Sequence, residues 1–139
     1  MIQRVQTLYL IGVIVAGILL LSIPAASLIV DGEIIKFYTH NVWSLATLPA
    51  ISILIAAITI FCFKKHMLQI RLSVFNIVVQ IGTAIYLWFY CANNIETGNG
   101  EWHVGVGMAM PLVQLILTIL AIRGISKDLI ILKSWDRLR

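Results

Sequence analysis

Charge is scarce in this sequence. Of 139 residues, ten are Lys or Arg and six are Asp or Glu, 12% together, against roughly 25% in a soluble domain. Four stretches, 7–30, 43–63, 72–91 and 104–122, contain no Asp, Glu, Lys, Arg or His. That gap leaves little chain for a soluble domain. It also argues against a pump or channel, whose pathways carry ionisable groups inside the bilayer despite a cost of about 2.5–3.5 kcal/mol each. Cysteine is equally sparse: Cys62 and Cys91 are expected on opposite sides of the membrane and form no CxxC, so a disulfide, redox or zinc framework has no support. Of the three histidines, His40 and His103 flank helix ends without a third ligand, and His66 sits in a basic turn. No nucleophile–base set, glycine-rich phosphate loop or carboxylate pair is present. An enzyme would have to draw on loop residues such as Glu96, Glu101 and His103. The expectation is therefore no enzyme, no cofactor, no metal and no catalytic residue.

What the sequence has is apolar length. Hydrophobic residues make up 60% of the chain, and the four uncharged runs hold 24, 21, 20 and 19 residues. A helix needs about 20 residues to cross a hydrocarbon core of ~30 Å. Transmembrane strands would be shorter and alternating, and inside lipid every backbone N–H and C=O must be paired within the protein. The expected fold class is an all-α membrane protein: a four-transmembrane-helix bundle over 1–123, followed by a short tail over 124–139. A cleaved signal peptide after Ala25 or Ala26 is the weaker reading of the first run, which is too long for the usual core and is preceded by a single Arg4. Twelve-residue loops, 31–42 and 92–103, are expected on one side, the second turn-rich, with almost no folded mass outside the bilayer.

Orientation follows from the cations. With four helices, both termini and the 64–71 link share one side, which carries Arg4, Lys64, Lys65, Arg71, Arg123, Lys127, Lys133, Arg137 and Arg139; the other side has only Lys36, beside Asp31, Glu33, Glu96 and Glu101. The positive-inside rule then places both termini in the cytoplasm. The net charge of +4 is spent on topology, leaving no basic face for nucleic acid. Aromatic residues such as Trp43, Trp88 and Trp102 outside, and Phe61, Phe63 and Trp135 inside, suit the headgroup level.

Within the runs, polar and small residues recur at helical spacing. They are Ser73, Asn76, Gln80 and Thr83; Gly107, Pro111, Gln114, Thr118 and Ala121; Pro49, Ser52, Ala56 and Thr59; and the pair Gly12 and Ala16. Lipid gives helix association no hydrophobic reward, so membrane bundles use small residues for close approach and amides or hydroxyls as bonds between helices. Ser52, Asn76, Gln80, Thr83, Gln114 and Thr118 are expected to face one another as a polar seam. Of the prolines, Pro24 and Pro49 lie toward outer ends and Pro111 well inside a span.

Gly124 reads as a C-cap, after which Ser126 and Asp128 would open a short basic helix lying on the inner headgroups, with Leu129, Leu132 and Trp135, or Ile131, Trp135 and Leu138, on its apolar side. Three stretches are distinctive: the opening Ile2-Gln3-Arg4, the hairpin end Leu68-Gln69-Ile70-Arg71-Leu72, and the close Asp136-Arg137-Leu138-Arg139. In this combination the whole chain resembles the DUF4293 family of small bacterial four-helix membrane proteins. The resemblance implies the inner membrane of bacteria with two membranes and supplies no activity, ligand or catalytic residue. The function expected is a structural or accessory subunit of a larger membrane complex, or a homo-oligomer. Its contact surface would be Arg4, Lys64, Lys65, Arg71, Arg123, Trp135, Arg137 and Arg139. The alternative is a small-molecule or lipid binder or transporter using the seam.

Overall fold

The computed structural model describes residues 2–97 and 101–138. It contains four long helices, α1 (Ile2–Ser22), α2 (Trp43–Phe61), α3 (His66–Thr97) and α4 (Met110–Arg137), and three short strands, β1 (Pro24–Val30), β2 (Glu33–Tyr38) and β3 (Glu101–Val104). All four helices are long and apolar enough to cross a membrane, which fits a multi-pass membrane protein. Each helix packs on its chain neighbours and α4 closes back on α1. The connections make neighbours antiparallel, so both chain ends lie at one end of the bundle, here the terminal end. The strands close the other, the sheet end.

The first apolar run does not make one helix. At Pro24 the chain has no N–H to donate, and its ring clashes with the carbonyl four residues back. Helix α1 therefore stops at Ser22, and 24–30 becomes β1, the central strand of an antiparallel sheet of order β2-β1-β3. The span expected over 7–30 is corrected accordingly, as is the expectation of almost no folded mass beyond the helices. The turn is Asp31-Gly32, both at positive φ (51° and 83°). This is the two-residue hairpin geometry that suits strand twist, and Asp-Gly is its strongest short signal. Val30 pairs with Glu33 and Ala26 with Phe37, with an irregularity between Pro24 and Ala26. On its other edge β1 pairs with β3, Ser27 opposite His103. The Gly105 N–H donates to Ala25 O at 2.9 Å. A Cβ on Gly105 would lie 2.5 Å from Pro24 O, so only glycine lets the chain pass there.

Two further expectations change. The fourth span, read as 104–122, starts with β3 and a 3-10 turn (Val106–Ala109), and the helix opens only at Met110. Pro111 then sits in the first turn, where its missing N–H costs nothing and no kink follows. At the other end α4 runs unbroken through Gly124 to Arg137, so 124–139 is no separate helix. Gly124 is a packing residue instead: a Cβ there would lie 3.0 Å from Gln6 Cγ. Close approach of α1 offsets the ~1 kcal/mol that a mid-helix glycine costs.

Candidate functional site

The bundle interior is polar along most of its length. On α3 the buried side chains Gln69, Ser73, Asn76, Gln80 and Thr83 repeat at spacings of 4, 3, 4 and 3; on α4 the buried Gln114, Thr118, Ala121, Ile125 and Asp128 do the same. At 1.5 Å per residue each row is ~21 Å long. Helix α2 adds Ser52 and Thr59, and α1 adds Gln6.

All six seam residues lie in this interior: Ser52, Gln80 and Thr118 are 0% exposed, and Asn76, Thr83 and Gln114 1%. Three of them meet. Gln80 Nε2 donates to Thr118 Oγ1 at 2.9 Å and approaches Ser52 Oγ at 3.5 Å, joining α2, α3 and α4. The Thr118 hydroxyl has one proton to give, and both Gln114 O (2.8 Å) and Gln80 Oε1 (3.2 Å) are in reach. Gln114 Nε2 donates to Val13 O on α1 at 3.2 Å. Gly17 makes room for that amide, since a Cβ would come within 2.8 Å of it and 2.6 Å of Ile53 Cγ1. Thr83 turns back on its own helix, donating to Val79 O. Asn76 stands apart. Both atoms of its buried amide, like the Ser73 hydroxyl one turn away, lack a hydrogen-bond partner.

The terminal end holds three contacts that the helical stripes did not reveal. Gln69 Nε2 donates to Thr59 O at 2.9 Å. Thr59 O is one of the last carbonyls of α2, which have no partner within the helix. Next to it His66 Nδ1 reaches Gln69 Oε1 at 3.4 Å. On the opposite side of the bundle, Gln6 Nε2 donates to the carboxylate of Asp128, which is 8% exposed. The sequence pattern reads Asp128 as a dipole partner in a separate tail. Continuity of α4 turns it inward instead, where the Gln6 amide supplies the hydrogen bond that a buried polar group needs. Its place in the repeat 114-118-121-125-128 was the signal available.

Toward the sheet end the interior is largely apolar, the buried Thr39 excepted. There Leu20, Ala25, Leu45 and Leu87, all 0–1% exposed, form an apolar cluster flanked by Phe37, Val42, Tyr90, Met108 and Met110. Phe37 of β2 stacks on Tyr90 of α3 with centroids 5.2 Å apart, tying sheet to bundle. His40 Nδ1 donates to Leu21 O at 2.8 Å, closing the end of α1. His103 lines a small pocket with Cys91 and Met108, which His40 does not line. Among the described residues, no three His, Cys, Asp or Glu side chains gather as a metal site.

Of the basic surface, Arg4, Lys64, Lys65, Arg71, Arg123 and Arg137 are exposed, as is Trp135 at 70%; Arg139 lies outside the described residues. The match that places the chain covers residues 2–138, described as "Domain of unknown function (DUF4293)". The chain belongs to the DUF4293 family. No curated protein and no solved structure matches it. In this DUF4293 chain the described residues form a bonded interior, an apolar seal and an exposed helix end.

Proposed function

We propose that this protein is a structural or accessory subunit of a larger complex in the bacterial inner membrane, with both termini cytoplasmic. The observation that carries the reading is the free end of α4. Its 28 residues measure ~42 Å, well beyond a ~30 Å hydrocarbon core. Beyond Asp128 the helix leaves the bundle: Ile130, Ile131, Leu132, Trp135 and Leu138 are 43–87% exposed. A rigid rod with large apolar groups and interspersed Lys133, Asp136 and Arg137 suits a groove on a partner protein. The basic residues around it supply the orientation argument.

A photoreactive residue at position 135 tests this, with position 112 on the lipid-facing side of the same helix as control. The expected result is a discrete adduct with a different membrane protein at 135 and lipid adducts alone at 112. Adducts at 135 with lipid alone would overturn the proposal. The second reading, a ligand held in the seam, is favoured by the unpartnered Asn76 and Ser73. It ranks lower because Gln80, Ser52 and Thr118 already satisfy one another.

A further inference from the structure

Helices α1 and α2 part at the terminal end to leave an open groove of about 530 Å³, lined by Arg4, Thr7, Leu8, Ile60 and Phe63. Its composition is graded. Arg4 is exposed at its mouth, and the walls are apolar, with Leu8 65% and Phe63 53% exposed. A second cation stands against one wall, Lys64 Nζ lying 5.8 Å from the centre of the Phe63 ring. In a bilayer crossed by both helices, the end of the groove bearing Arg4 would lie toward the headgroups and its apolar walls toward the acyl chains.

The geometry points to a site for one acidic phospholipid, its phosphate on Arg4 and the start of an acyl chain against Leu8, Ile60 and Phe63. A guanidinium fork matches phosphate oxygens in pairs, which a lone ammonium does not. The apolar walls demand a chain as well as an anion, so free phosphate does not satisfy the site. The Arg4 guanidinium at the mouth disfavours the choline group of a zwitterionic lipid, which gives the site its selectivity. The site uses α1, α2 and the turn after α2, and does not rest on the docking role proposed for α4.

The test is native mass spectrometry of the full chain released from detergent with equal amounts of phosphatidylglycerol and phosphatidylcholine. Retention of the acidic lipid should be about fivefold higher, the equivalent of ~1 kcal/mol for a basic side chain near a charged headgroup. Arg4→Gln should bring the two lipids near parity without changing the melting temperature in lipid-free detergent. Phe63→Ala should lower retention of both, and excess inorganic phosphate should displace neither. Wild-type selectivity in Arg4→Gln would overturn the inference. So would an equal loss in Lys133→Gln, which would assign the preference to diffuse surface charge, or displacement by phosphate, which would assign it to a simple anion site.

Discussion

The two ends of this bundle are held together differently. Toward the termini, helices meet through amides and hydroxyls: Gln6 with Asp128, Gln69 with the end of α2, Gln80 with Thr118 and Ser52. Toward the sheet they meet through Leu20, Leu45 and Leu87, sealed by Ala25 from a strand. Apolar packing between helices gains little against lipid tails, so bonds between helices set register along the column. At the sheet end the helices also pack on a sheet edge and a bulged strand, where filling space is what matters. The terminal end is therefore specified mainly by hydrogen-bond partners and the sheet end mainly by shape, with Tyr86 donating to Ser44 Oγ at 2.9 Å as the bond between α3 and α2 there.

Substitutions that break this contrast differ in size. Leu45→Ala, at a fully buried position of the apolar cluster, should cost the most, about 2–5 kcal/mol. It would be read as lost thermal stability in detergent. Gly105→Val places carbon against Pro24 O and should cost about 1–3 kcal/mol. Its signature is faster proteolysis around 24–38, with the helical content kept. Gln80→Leu removes the three-helix contact and should cost about 0.6–2 kcal/mol. In a double-mutant cycle with Thr118→Val, additive effects would show the two residues uncoupled. Asn76→Leu should cost least and even raise stability by up to ~1 kcal/mol, because it removes a buried amide that bonds to nothing. A large loss there would mean that Asn76 has a partner, and would revive the seam as a binding site.

Much of the fold was legible before the structure. Uncharged runs of transmembrane length mark four helices, and the 3-and-4 spacing of Ser73, Asn76, Gln80 and Thr83 marks an inner face, because those quantities depend on local sequence alone. The strand over 24–30 was not read from the sequence: the Asp31-Gly32 turn signal is there, but the apolar residues before it satisfy helix and strand equally. The Gln6–Asp128 contact was not legible. Its partners are 122 positions apart, and each taken singly suits a solvated boundary.

By itself, then, the sequence determined how many times the chain can cross a bilayer, where its cations gather and which side of each helix is polar. Each is set by composition and periodicity over a few turns. Tertiary structure alone decided that 24–30 is a strand, that α4 passes straight through Gly124, and which amides pair. Those outcomes depend on distant chain: β1 exists because β2 and β3 complete its hydrogen bonds, and Gly124 stays helical because Gln6 packs against it.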